Sequence, residues 1–271
     1  MRIFKFWTRI EGTLTVGGRP QPAHAYGGSN VSLEEAERDA RRRLEGVARR
    51  IAGQGPGDDG YEADIREEVL AQIDERNVVT RNRYGAAVLN SSELLFIDID
   101  EPRLGFWDVF RPRPTGDAKK ARIVAQAKKL FAGDPALRGL GLRLYETRNG
   151  VRAIVTGRAF DAKARSTRKL LRRFHADWLY GRLCERQGCF RARLTPKPSR
   201  IKCRKYAFAF PRLDDVQEAE HRAWVAAYDQ ARARFATCRL VCSLGGVFEL
   251  LHPVVAWHDR ETGATSSLEL A

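Results

Sequence analysis

The sequence predicts an α+β protein, with mixed and antiparallel sheets and flanking helices. Extended apolar runs are joined in pairs by tight-turn signals, Asn82-Arg83-Tyr84-Gly85 and Asn149-Gly150, which favour antiparallel partners. Helical periodicity is strong only in separate stretches between those runs. No internal repeat or low-complexity tract interrupts the 271 residues, which suffice for one large domain or two small ones sharing an interface.

Taken in order, residues 1–28 hold a strand-like FKFWTRI and a second candidate at GTLTV, and end in the glycine turn of AYGGSN. A helix follows: Ser32 and Glu35 form a capping-box pattern, and Leu33, Ala36, Ala40, Leu44, Val47 and Ile51 keep helical spacing. GQGPGDDG, residues 53–60, breaks it. A second helix is expected from about Ala63 to Glu75. Two extended runs around the Asn-Arg-Tyr-Gly turn come next, and then a third strand, LLFIDID.

Beyond the basic, Pro-rich RPRPTG, the pattern gives a helix around AKKARIVAQAKKLF and a strand, LRLYET. The hairpin turn at Asn149-Gly150 leads to the partner strand VRAIVTG, where Arg152 shares a face with Ile154 and Thr156, an unusual place for a cation. A basic helical region, STRKLLRRFHADWLYGRLCERQG, runs into FRARLTPKPSRIKCRKYAFAF. Tyr206, Phe208 and Phe210 alternate with alanines as on one strand face, which suits core packing better than a base-stacking platform. A helix near Val216 to Phe235, one or two closing strands and a polar tail complete the chain.

The charge is regional. Residues 111–212 hold 28 Lys and Arg against 6 Asp and Glu, a balance of +22, while the remainder balances at −8. A segment that basic, and too apolar to be a disordered tail, reads as a folded surface for a polyanion. No run of about 18 apolar residues occurs, and MRIFKFWTRI turns polar at EGT before a secretory core develops, so a soluble, cytoplasmic protein without membrane contact is expected. Five scattered cysteines, an odd count, argue for a reducing compartment rather than a disulfide framework.

Within LLFIDIDEP, Asp98 and Asp100 stand two positions apart, where strand side chains share a face. Two adjacent carboxylates repel each other and lose hydration unless a cation or a set of donors compensates. Pro102 ends regular pairing, so both carboxylates would emerge at the sheet's edge, where hard oxygen ligands suit Mg²⁺ or Mn²⁺. The plainer expectation is a helix cap or pairing with nearby arginines. On repulsion alone, Asp98→Asn would leave the fold intact or slightly more stable.

An apolar strand ending in Asp-x-Asp, a helix, a strand, a Gly-containing turn and a partner strand resembles the catalytic core of the archaeo-eukaryotic primase superfamily, which includes the polymerase domains of bacterial end-joining ligases. LLFIDIDEP matches the family's first motif. ETRNGVRAIV lies where a Gly-x-His motif belongs, with Arg152 in the histidine's place, and Asp177 in FHADWLY stands for the third acid, with Asp214 or Asp215 as substitutes. The resemblance covers about residues 90–205 and implies a primase-like catalytic core with an RRM-like half. It divides the chain into an N-terminal α/β subdomain (1–90), a basic catalytic core (91–212) and a C-terminal helix with closing strands (213–271).

The resemblance further implies a primase-polymerase-like nucleotidyltransferase in which Asp98, Asp100 and Asp177 hold two divalent cations. Arg152, with Arg148, Arg193, Lys197, Arg200 and Lys202, would take the nucleoside triphosphate. Arg191, Arg204, Lys205, Arg172 and Arg173 would take DNA or RNA phosphates. Arg152 should face the same cleft as the two aspartates, within roughly 10 Å and with room between them for a triphosphate. Asp177 should come within roughly 4 to 7 Å of the other acids.

Zinc knuckles recur in that superfamily, and Cys184, Cys189 and Cys203, with His175 or the Cys238/Cys242 pair, supply candidate ligands. Their spacing is looser than the usual short knuckles, and small buried hydrophobes are the simpler expectation. Two alternatives stand beside the nucleotidyltransferase. A metal-dependent nuclease would use the same acids with water as attacker, although no Pro-Asp…Glu-x-Lys run is present. A nucleic-acid-binding accessory protein would carry a degenerate site.

Overall fold

The computed structural model describes residues 1–54, 63–103, 114–246 and 253–271. The breaker at residues 53–60 and RPRPTG fall partly outside these. The N-terminal run is one long hairpin: β1 (Phe6–Val16) pairs with β2 (Arg19–Ser29) from Phe6↔Ser29 to Val16↔Arg19. FKFWTRI and GTLTV thus join in a single strand, and its partner is RPQPAHAYGGS, so AYGGS, expected as a glycine turn, is paired strand instead. Helix α1 (Leu33–Ile51) lies across the hairpin, with Ala36 and Ala40 fully buried. Only glycine fits beneath it at position 27, where a Cβ would sit 2.1 Å from the Ala36 carbonyl oxygen. Half of the expected capping box forms: the Glu35 N–H donates to Ser32 Oγ at 3.2 Å, while the Glu35 carboxylate accepts from Ser29 Oγ at 2.9 Å.

One four-stranded antiparallel sheet is built from β3 (Glu68–Gln72), β4 (Asn77–Arg81), β5 (Ala87–Ser91) and β9 (Phe190–Arg193), in that order. The helix expected over Ala63 to Glu75 is therefore strand β3 with flanking irregular chain. Ile65, Val69 and Ile73 repeat every four residues, but Val69, Ala71 and Ile73 also alternate. Pairing with β4, through a bulge between Val69 and Ala71, decides for the strand.

The second sheet holds β6 (Leu95–Ile99), β7 (Gly141–Thr147), β8 (Val151–Thr156) and β11 (Cys238–Gly245) in the order β11-β7-β8-β6, all antiparallel. Helix α2 (Gly116–Gly133) carries the chain from β6 to β7, and its buried Ile123 and Ala127 enter the same core as Leu95, Ile97, Ile99, Ala153 and Leu144. Gly150, in the β7–β8 turn, lies so close to β6 that a Cβ there would meet the Ile99 carbonyl oxygen at 2.2 Å. Both sheets cross the expected regional boundaries. β9 joins a sheet whose other strands end by Ser91, and β11, from beyond residue 213, completes the sheet of the aspartates.

The basic helical region is two helices, α3 (Arg165–Arg173) and α4 (Trp178–Gln187). His175 takes a positive φ of 59°, and the Asp177 carboxylate accepts the Tyr180 N–H at 2.9 Å, starting α4. After β9 the chain is irregular around a short 3-10 turn, Pro198–Arg200, and Tyr206 to Phe210 form no strand. Tyr206 is instead buried edge-on against Trp224, with ring centroids 4.7 Å apart, in a second small core with Ile201 and Tyr228. Helix α5 (Asp215–Arg232) supplies Trp224 and Tyr228, capped by Asp214, which accepts the Gln217 N–H at 2.8 Å.

The closing segment adds β10 (Phe235–Ala236), β11, helix α6 (Pro253–Thr262) and β12 (Glu269–Leu270), which pairs parallel with β10. Sequence reading missed α6, although Pro253 at its start and Gly263 just after it, at φ +67°, are ordinary punctuation for a helix. Among the described residues no helix is long and apolar enough to cross a membrane.

Candidate functional site

Asp98, Arg152 and Tyr145 stand side by side across β6, β8 and β7, on the sheet face opposite Ile97, Ala153 and Leu144. Arg152 is 1 % exposed, the largest fully buried side chain among the described residues. Its Nε donates to Asp98 Oδ1 at 2.8 Å and its Nη2 to Asp98 Oδ2 at 3.1 Å. Nη1 donates to the Arg193 carbonyl at 2.8 Å and faces His258 Nε2 at 3.4 Å. A guanidinium so enclosed has no surface for a phosphate. The triphosphate role expected of Arg152 is therefore corrected: it faces Asp98 as foreseen, but touches it directly, with no space between for a nucleotide.

Burial works against the charged form of Asp98, but the Arg152 charge and hydrogen bonds, then the Arg193 charge, outweigh it and hold its carboxyl below the ordinary range. Thirty-eight per cent of the Asp98 side chain remains open, so its oxygens keep lone pairs toward solvent. Asp100 behaves oppositely. It reaches solvent just past the end of β6, yet desolvation by the surrounding chain, and next the Asp98 charge, push its carboxyl up; Asp177 adds to this, and Lys119 and Arg200 work against it. The fold thus brings Asp100 within electrostatic reach of both Asp98 and Asp177. It does not pack them into a finished cage: among the described residues no three His, Cys, Asp or Glu side chains are grouped as metal ligands. The side chain of Asp177 is occupied as the N-cap of α4.

Around these acids lie cations that repel one another. Arg193 is pulled down to about 10 by burial and then by the charges of Arg152 and Arg200. Its Nε is buried and without a hydrogen-bond partner. Lys197 is lowered by burial, Arg193 and Arg200, and Arg200 by burial and Arg148. Among the described residues none of Arg148, Arg193, Lys197 and Arg200 has a carboxylate within 4 Å. Such a set costs stability unless an anion occupies it.

The other basic residues divide. Lys202, Arg204 and Lys205 are exposed on the irregular segment after the 3-10 turn. Arg191 is not free for nucleic acid as expected, because its Nη2 donates to Glu67 Oε2 at 2.5 Å. Arg173 donates to Asp134 Oδ2 at 2.5 Å, while Arg172 on the same helix is exposed. The cysteines form no disulfide, and burial pushes the thiols of Cys184 up to about 12 and of Cys189 and Cys238 up to about 11. Among the described residues no zinc set is assembled.

One part of the site was invisible in the sequence. Behind Arg152 a buried polar network runs through α6: His258 Nδ1 meets Asp259 Oδ1 at 3.0 Å, and Tyr145 Oη donates to the same oxygen at 2.7 Å. Arg143 donates from Nε to Tyr145 Oη at 2.7 Å, from Nη1 to Ser243 Oγ at 3.1 Å and from Nη2 to Asp259. Burial lowers the His258 pKa, so its ring is neutral, with Nδ1–H donating to Asp259 and Nε2 left to accept from Arg152. Arg143 and Tyr145 were legible as the polar side of LRLYET, but nothing local ties them to His258 more than a hundred residues away. Comparison of the chain with protein-family models, curated proteins and solved structures returns no match.

Proposed function

We propose that this protein is a divalent-cation-dependent nucleotidyltransferase of the primase-polymerase kind, acting on nucleic acid with nucleoside triphosphates. The carrying observation is the unpaired set Arg148, Arg193, Lys197 and Arg200 beside Asp98, Asp100 and Asp177. Surplus positive and surplus negative charge left side by side fit a polyphosphate and the cations that accompany it. The primase-like core with an RRM-like half is supported by chain order. β6, α2, β7, β8, two helices and β9 follow a β-α-β-β-α-β scheme, with β8 between β6 and β7. The departure is β9, which hydrogen-bonds β5 rather than β6 and touches this sheet through the Arg193 carbonyl.

In this reading Asp98 and Asp100 would hold Mg²⁺ or Mn²⁺, with Asp177 near enough to add its charge; the Asp100 carboxyl is pushed up first by desolvation and next by the Asp98 charge, and a cation would relieve the second. A cation bound there would stabilise charge on the attacking and departing oxygens of phosphoryl transfer. Arg193, Lys197, Arg200 and Arg148 bind the triphosphate. Arg152 is a positioning residue that fixes the Asp98 carboxylate and keeps it ionised. Incubating the protein with a labelled primer-template, Mn²⁺ or Mg²⁺ and nucleotides should lengthen the primer, and Asp100→Asn should abolish extension. Shortening of the strand without nucleotides would point to a nuclease instead.

One observation favours a second reading. The Asp98 oxygens are already bridged by Arg152, as in a site retired from catalysis, so a nucleic-acid-binding accessory protein is the alternative. Retardation of nucleic acid with neither extension nor shortening would select it.

A further inference from the structure

Beside Asp177, helix α4 opens with Trp178, which is 73 % exposed. A large aromatic ring left in water next to a candidate site is an unusual use of apolar surface. Trp178 lines a cavity of about 300 Å³ together with Arg165, Arg168, Arg172 and Arg182. Arg168 is held by Glu185. Among the described residues Arg165, Arg172 and Arg182 have no carboxylate within 4 Å. Three uncompensated guanidiniums around one open indole therefore define what fits: a planar ring carrying negative charge on either side.

We infer that this cavity binds an unpaired stretch of a nucleic-acid strand, with a base stacked on the Trp178 indole and the flanking phosphates on Arg165, Arg172 and Arg182. Stacking on an exposed aromatic is tolerant of base identity, because every base has a π-face, and arginine forks match phosphate oxygens. Position supports the assignment. Asp177 lines this cavity and its charge also reaches Asp100, so the cavity adjoins the candidate site through that residue. The inference rests on the nucleic-acid reading above and names the surface that takes the strand.

The test is fluorescence polarisation with labelled single-stranded oligonucleotides, deoxy and ribo, and with a matched abasic oligonucleotide that keeps the sugar-phosphate chain. The effect is read on whichever of the two strand types the unaltered protein binds more tightly. Trp178→Ala should weaken binding of the base-bearing strand about 5- to 150-fold, the range expected for one stacked base. It should leave abasic binding unchanged, and Trp178→Phe should recover much of the loss. Arg165→Gln with Arg182→Gln should weaken both strands and make the salt slope shallower by about 0.7 per lost phosphate contact. Equal loss of base-bearing and abasic binding in Trp178→Ala, or no loss, overturns the inference. So does a wild-type dimer that Trp178→Ala dissolves, which would give the face to a second copy of the chain. A protein that extends no primer but shows the stacking loss refutes the polymerase reading alone, whereas a protein that binds no strand refutes both.

Discussion

Arg152 and Asp98 are cross-strand partners on β8 and β6, joined by two hydrogen bonds, with Arg152 buried and Asp98 open to solvent on one side. The pair joins the interior network to the candidate site, and its asymmetry sets what each substitution should do.

Arg152→Ala should destabilise the fold by roughly 3 to 5 kcal/mol, because it strips a half-open carboxylate of its partner and leaves a void in the core. Asp98→Asn should cost about as much, since it leaves a buried guanidinium uncompensated. This reverses the expectation drawn from two repelling aspartates. Arg152→Lys should recover little, because an ammonium cannot span both oxygens and the Arg193 carbonyl. Urea denaturation at neutral pH reads all three, and an Asp98→Asn protein as stable as wild type would show that the pair contributes nothing.

Asp100→Asn should act in the opposite direction. The folded-state pKa of Asp100 is raised, so its ionisation disfavours the fold as pH climbs through that value, and below the ordinary carboxylate range the penalty is absent. The variant should therefore have the higher denaturation midpoint at pH 7, with the advantage gone near pH 3. Identical midpoints at pH 7 would mean that neither desolvation nor the Asp98 and Asp177 charges disfavour its ionised form.

Acid should unfold the protein in two stages. His258 and His221 are both lowered chiefly by burial, so the stability tied to their neutral forms is complete above the ordinary histidine pKa and falls as pH drops below it. Asp98, also lowered, keeps its contribution until pH falls below the ordinary carboxylate value. Denaturation midpoints measured from pH 8 to 3 should decline first near pH 6 and again below about 4. His258→Asn should shrink the first decline and leave the second.

Mn²⁺ should raise the melting temperature, by an amount equivalent to about 2.7 kcal/mol at a hundredfold excess over its Kd. Asp100→Asn should remove the effect, and Cys184→Ala should not. A shift that survives Asp100→Asn places the cation elsewhere.

Arg200→Gln should raise the apparent KM for nucleotide roughly tenfold or more, as loss of a charged hydrogen bond to phosphate does. Because Arg200 and Arg148 repel each other, stability should hold or improve. A kcat loss with KM unchanged would move Arg200 off the ground-state phosphate.

Much of this was legible in the chain. LLFIDID reads as a strand from its apolar run, and Asn149-Gly150 fixes the neighbouring hairpin, while the shared face of Asp98 and Arg152 was expected from the resemblance. The direct contact did not follow, because both shared face and contact depend on register, and Asp98↔Arg152 is set by how β6 docks on β8. Strand β3 was lost because its apolar spacing fits both periods and only pairing with β4 chooses. The basic stretch showed its charge but not its partners: Glu67, which takes Arg191, lies 124 residues away. His258 stayed hidden because a buried neutral histidine differs from an exposed one only through its surroundings.

The β5–β9 pairing has a kinetic consequence. Leu89 lies opposite Ala192, and Arg152 Nη1 contacts both the Arg193 carbonyl and His258, so the surroundings of Asp98 are drawn from chain segments far apart in sequence. Contacts of that separation form late, after large loops have closed. Until α6 docks, Arg152 lacks its neutral histidine neighbour and the carboxylate it grips stays loosely held. The acid pair should therefore be among the last features to set during refolding, and a chain cut before Pro253 should collapse into sheets without acquiring a defined site.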